Sequence, residues 1–287
     1  MFKICMDILV ESLHTTLVLI PYLYLTYLAL EYLEYKTSGR TLVYIKKSGK
    51  YGPFVGGILG MFPQCGFSVA AANLFATGLI SIGTLFAIFI STSDEMLPLL
   101  ISGGTDVSRI SLILCMKVIF AIIIGFLIEY FLPETFITHK KKLQIKEFCK
   151  REKCLCESKN TIWKSALKHT EKISLFIFMF SLLIDAAFAF GGRETVDNIL
   201  INFPIISKFV AAAVGLIPSC YPSVLLTQLY LDEAITMGTM LAGTISNAGL
   251  GFLVLSRVNP NVKENLRILL LLYICGVVLG ILSEFFA

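Results

Sequence analysis

The sequence predicts an all-α polytopic membrane protein built from two inverted copies of one transmembrane unit, and three observations carry that prediction. Hydrophobic residues make up 56% of the 287 and charged residues only 15%, with a mean hydropathy of +0.80, more apolar surface than a soluble globule can hide. Apolar stretches near the ~20 residues that a bilayer helix needs recur along the chain, with charges mostly at their ends. Finally, sliding the chain on itself gives a single gapless register, the 155 residues that separate Pro63 from Pro218.

The apolar stretches run, in order, over 12–34, 79–102, 109–132, 167–189, 234–256 and 266–286, and two more, 52–77 and 205–231, are long enough but broken. The first follows the N-terminal residues without a small-residue cleavage site and reads as an uncleaved span. The repeat pairs His14-Thr15 with His169-Thr170, Gly60 with Gly215, Cys65 with Cys220, Gly83-Thr84 with Gly238-Thr239, Gly125 with Gly280 and Glu129 with Glu284. Between 60 and 91 twelve of 32 positions match their partners, where apolar composition alone gives about three. Shared composition cannot align Pro, Cys, His and Glu in one register. Three parts follow: a first unit over 1–135, a basic linker over 136–162 and a second unit over 163–287.

The broken stretches carry Phe-Pro-Gln-Cys-Gly-Phe-Ser at 62–68 and Ile-Pro-Ser-Cys-Tyr-Pro-Ser at 217–223. Proline removes a backbone donor and clashes with the preceding turn, so neither stretch is expected to be one straight helix. A second break follows in each half, at Ser91-Thr92-Ser93-Asp94-Glu95 and at Ser246-Asn247-Ala248-Gly249. Irregular backbone at membrane depth survives only when buried in protein or lining a wet cavity. The loop at 36–50 holds five basic residues while its partner at 190–205 holds only Arg193, and the loop at 102–109 holds only Arg109 while its partner at 257–267 holds three. Basic loops facing non-basic partners imply opposite orientation. Inversion needs an odd number of crossings per half, which holds if 52–77 and 205–231 are re-entrant hairpins. Simple crossing by both stretches, with parallel repeats, is the alternative. Residues 139–172 hold eleven of the 24 Lys and Arg against four Glu, placing this linker on the cytoplasmic side of an inner membrane.

Cys65 and Cys220 stand two residues after prolines at matching breaks. A lone membrane cysteine is usually a small apolar filler, but two symmetric ones could pair as thiolates for soft ions such as zinc, copper(I) or arsenite. Ser68 and Ser223 add neutral oxygens nearby. Asp94 and Glu95 are adjacent acids inside a span, and their repeat partner breaks without acids, so capping alone does not require them. With Ser91, Thr92, Ser246 and Asn247 they would suit a harder ion such as manganese(II). His14 and His169 share a repeat position; interface placement competes with a role as transient ligands or proton carriers. Glu129 and Glu284 read as snorkelling side chains. The linker's His139, Cys149, Cys154 and Cys156 fit zinc spacing poorly and sit among lysines.

The strings GMFPQCGFSVAAANLF at 60–75, ISTSDEMLP at 90–98 and SALKHTEKISLFIF at 165–178 resemble the ten-transmembrane heavy-metal exporter family, whose members also carry manganese-transporter and arsenic-efflux names. The resemblance covers nearly the whole chain, although the family's His-rich central loop here keeps one His and three Cys. It implies metal or metalloid efflux. The expectation is therefore a secondary transporter and not an enzyme, with lipid as solvent, no nucleic-acid partner, no resident cofactor and protons as the coupling ion, since no P-loop appears. Its site would be formed by Cys65, Asp94, Glu95 and Cys220 with the hydroxyl and amide oxygens named above. An arsenite or anion permease is the rival transporter, and a membrane-embedded enzyme the rival of another class.

Overall fold

A computed structural model describes residues 51–61, 65–93, 95–131, 159–187 and 206–286, together with Leu200 and single positions between 9 and 28. Among these there is no strand. The helices are α1 (Gly52–Leu59), α2 (Cys65–Ala76), α3 (Ile82–Ser91), α4 (Met96–Ser102), α5 (Val107–Phe131), α6 (Lys159–Ala187), α7 (Ser207–Gly215), α8 (Tyr221–Leu231), α9 (Met237–Ser246), α10 (Gly249–Val258) and α11 (Val262–Ser283). Adding 155 to the bounds of α3 gives those of α9, and the other boundaries match within a few residues. The described positions between 9 and 28 are helical, as their partners in α6 require. Four segments are long and apolar enough to cross a bilayer: Ile82–Ser102, Val107–Phe131, Met237–Val258 and Val262–Ser283. The chain is a multi-pass membrane protein.

Local chemistry explains the boundaries. Ser81 and Thr236 cap α3 and α9 in the same way, their hydroxyls accepting from the amides of Thr84 at 3.2 Å and Thr239 at 3.3 Å. Pro222, expected to help break its stretch, instead lies in the first turn of α8, where the missing amide costs nothing. The interruption falls before it, over 216–220, and in the first half α2 already begins at Cys65. Ser68, Ser223 and Gly66 are thus helical and not part of the irregular backbone. Helix α6 starts at Lys159, within the last residues of the stretch read as the basic linker.

The short helices settle how 52–77 and 205–231 run. At 1.5 Å per residue α1, α2, α7 and α8 are each only ~12–18 Å long, about half the ~30 Å hydrocarbon core. Gly52 and Gly56 lie against Thr84, and Gly60 against Ile88 and Ser91, so α1 runs alongside α3 in the same direction. Since α3 restarts at the level of Gly52, α2 must carry the chain back. The second half repeats this: Ser207 bonds Thr239 at 3.0 Å, Ser246 donates to the Ala212 carbonyl at 2.8 Å, and Gly215 lies against Gly243 and Ser246. Both stretches are hairpins that return to the level they left, not simple crossings.

Small residues let these elements touch backbone to backbone. α5 crosses α3 where Gly125 meets the Gly83 carbonyl, and α11 crosses α9 where Gly280 meets the Gly238 carbonyl. Between the halves, α2 packs on α10, α4 on α8 and α3 on α9. One apolar core, from Leu85, Phe86 and Phe89 to Met240, Leu241 and Leu250, runs through both halves.

Candidate functional site

The candidate site lies where the two broken spans end their first half-helices. At Thr92 the amide still reaches the Ile88 carbonyl at 3.0 Å, but ψ of 129° takes the chain out of the helix. At Asn247 the amide reaches the Gly243 carbonyl at 3.1 Å and ψ of 99° does the same. Among the described residues the last carbonyls of each half-helix therefore find no amide partners, and they carry the negative end of the helix dipole.

A lysine from α5 meets these carbonyls. Lys117 is 1% exposed, and its ammonium donates to the Thr92 carbonyl and, at 3.4 Å, to the Thr244 carbonyl. One buried cation thus touches the terminal carbonyls of both halves. Its repeat partner on α11 is the buried Leu272. Sequence reading missed Lys117 because symmetry was the filter and this residue breaks symmetry; a lone lysine inside the 109–132 apolar stretch was the available signal.

The hydroxyls at the breaks mostly serve their own half. Ser91 donates to the Ala87 and Ile88 carbonyls at 2.7 and 3.1 Å, Thr92 to Ile88 at 2.6 Å, and Ser93 to the Ser91 carbonyl at 3.1 Å. Ser246 ties α9 to α7 through Ala212. Asn247 accepts from the Gly249 amide at 2.7 Å, closing the turn in which Gly249 takes φ +51°. Glu95 stands half-buried at the start of α4 and makes no capping bond. Its neighbour Asp94 lies outside the described residues.

At the hairpin turns, Ser68 is fully buried against Gly251 of the other half, and Ser223 is buried in α8. Cys220 is half-buried and packs against the common core. The Ser219 hydroxyl beside it is fully buried and finds no hydrogen-bond partner among the described residues. Cys65 begins α2, but its side chain is outside the described set, as are His14 and the side chain of His169 in α6. His139, Cys149, Cys154 and Cys156 also fall outside it. Among the described residues no three His, Cys, Asp or Glu side chains gather as a metal site.

The two repeated glutamates do more than reach for water. Glu129 accepts from the Gly83 amide at 3.2 Å, at the positive end of α3. Glu284 lies against Gly238 in the same place and pairs with Lys208 at 2.6 Å. Gln228 donates to Asp232 at 3.2 Å, just past the end of its own helix.

One family model matches the chain, over residues 5–193 and 144–262, and its description is "Putative, 10TM heavy-metal exporter". No curated protein and no solved structure matches.

Proposed function

The chain belongs to this ten-transmembrane heavy-metal exporter family, and from that premise we propose that it is a secondary transporter carrying divalent metal ions, manganese(II) among them, out of the cell by proton antiport. The observation that carries the reading is the meeting of two half-helix C-termini, one from each half, around a buried ammonium. Backbone carbonyls at the negative ends of discontinuous helices are what transporters present to cations.

Inverted repeats fit this arrangement. Ser68, near the start of α2, lies beside Gly251, near the start of α10; Leu231, at the end of α8, lies beside Gly103, at the end of α4. Together these contacts run each hairpin's returning limb alongside the second half-helix of the other span. Because a returning limb runs against its own span, the two broken spans run against each other. An inner-membrane location with the basic linker in the cytoplasm follows the positive-inside rule.

In this proposal Asp94 and Glu95 join the terminal carbonyls as hard ligands, and Cys65 and Cys220 offer thiolates from the hairpin turns. Cellular metal content, measured by elemental analysis with and without expression, is the direct test. Export should fall to the background level in Asp94→Asn, and metal content unchanged by either Asp94→Asn or Cys65→Ser rejects the site. A second reading rests on the orphaned Ser219 hydroxyl beside Cys220 at the N-terminus of α8, where amides and a thiol suit a metalloid oxyanion or arsenite. Arsenite resistance that survives Asp94→Asn but is lost in Cys65→Ser would favour it. A duplicated framework gives catalysis no advantage, so the enzyme reading is set aside.

A further inference from the structure

We infer that α1 is the gate through which the transport site is loaded: packing alone holds it against its span, whereas its repeat partner α7 is tied in place by hydrogen bonds and an ion pair. This deepens the export reading above and rests on that reading's topology. Pro53 lies against Gly125, close to the end of α5, so α1 starts at the membrane face from which the basic linker leaves. In the inverted half α7 starts at the opposite face.

The contrast runs position by position along the repeat. Ser207 bonds Thr239 at 3.0 Å, Lys208 pairs with Glu284 at 2.6 Å, and the Ser246 hydroxyl donates to the Ala212 carbonyl at 2.8 Å. Together these ties fasten the start and the middle of α7 to α9 and to the residue after α11. In the first half Gly52 stands in place of Ser207 and Pro53 in place of Lys208, so neither of the first two ties can form. Ser91, in place of Ser246, donates to the Ala87 and Ile88 carbonyls of its own helix. Glu129, in place of Glu284, accepts from the Gly83 amide of α3. The helix α1 itself reads Gly-Pro-Phe-Val-Gly-Gly-Ile-Leu and has no polar side chain to offer.

The difference falls beside the candidate site. Gly60, just past the end of α1, lies against Ile88 and Ser91, within a turn of the break at Thr92. Earlier in α1, Gly56 lies against Thr84 and Gly57 against Ile122. In lipid no hydrophobic gain drives helices together, so these contacts rest on close packing. Parting α7 from α9 breaks bonds among the buried Ser207, Thr239 and Ser246 hydroxyls, and each such loss is costly. Helix α1 therefore separates more readily. Its departure uncovers the carbonyl end of α3 toward the face where α1 begins, the cytoplasmic face from which an exporter loads.

The experiment uses the purified full-length protein. Thr84 and Thr239 are equivalent buried positions behind α1 and α7, and Thr84→Cys and Thr239→Cys are labelled in detergent with a charged maleimide, followed peptide by peptide by mass spectrometry. Thr84→Cys should react at least about tenfold faster, even though Thr239→Cys itself removes one tie. Adding Pro53→Lys, which sets an ammonium opposite Glu129, should slow the first variant several-fold, and adding Lys208→Met with Ser246→Ala should speed the second. Equal rates, or rates deaf to these additions, would overturn the inference. Manganese(II) flux into proteoliposomes then reads the loading role. A β-carbon at position 52 would stand 3.3 Å from that of Thr84, so oxidation can join Gly52→Cys to Thr84→Cys after a small adjustment. Flux should stop on oxidation and return with a reductant; flux that persists through the cross-link would show that α1 is not the gate. Should the double variant fail to fold, the labelling rates decide alone. Absence of manganese(II) flux in the intact protein would sink the export reading and the loading role with it, whereas a missing labelling contrast with flux intact would sink this inference alone.

Discussion

The two halves share a backbone and divide the chemistry. In the first, the break reads Thr92-Ser93-Asp94-Glu95 and its Thr92 carbonyl meets Lys117; in the second it reads Asn247-Ala248-Gly249-Leu250, and Leu272 stands at the repeat position of Lys117. The caps, the hairpins and the glycine crossings recur in both. Duplication has therefore kept what shapes the membrane core and let the side chains at the breaks diverge. One half retains the ionisable groups, and the other keeps its carbonyls and a buried amide.

The sharpest way to break this contrast is to erase it. Replacing Thr92, Ser93, Asp94 and Glu95 with the Asn, Ala, Gly and Leu of the second break should reduce metal export to the level of cells without the protein. Size-exclusion chromatography in detergent should still show a folded species. Export that persists would mean the first half's ionisable groups are dispensable. Next in size are the glycine crossings. Gly125→Leu and Gly280→Leu each force a side chain into backbone contact, and each should cost at least about 3 kcal/mol, read as loss of the monodisperse peak or a large drop in Tm. Equal losses in the two variants would show that the framework is symmetric in energy as well as in form.

Smaller effects separate the halves again. Ser246 bonds across to Ala212 whereas Ser91 bonds only within α3. Ser246→Ala should therefore lower stability by about 1 kcal/mol and Ser91→Ala by a few tenths, compared by Tm in the same detergent. Smallest is the turn after the returning limb, where Gly78 takes φ +77° and its partner Glu233 takes φ +57°. An L-residue pays for that left-handed conformation by about 1 kcal/mol, most of which the extra unfolded-state freedom of glycine offsets, so Glu233→Gly should raise Tm only slightly. A fall would show that the Glu233 side chain has a role of its own.

Much of this architecture was legible in the sequence. The offset of 155 and the clustering of prolines revealed two units with interrupted helices, because such residues cannot be tolerated in straight spans. The hairpins were only one of two options, since proline marks a break without saying which way the chain leaves it; Gly52, Gly56 and Gly60 against α3 supply the direction. Pro222 misled because the same residue that breaks a helix interior begins a helix comfortably. The site was read through matched pairs, which favoured Cys65 with Cys220 and His14 with His169. Lys117 has no match, and its partners are main-chain carbonyls from segments 25 and 127 residues away in sequence, which no side-chain pattern encodes.

The exchange of partners between halves has a bearing on biogenesis. α2 rests on α10 and α4 on α8, so a ribosome that has finished the first unit has delivered limbs whose counterparts are still unmade. Until residues 249–258 follow, a nascent chain must shelter Ser68 and the face around it from lipid. Splitting the gene at the linker and producing the fragments separately should leave each one dependent on the other, as two hands of a clasp are.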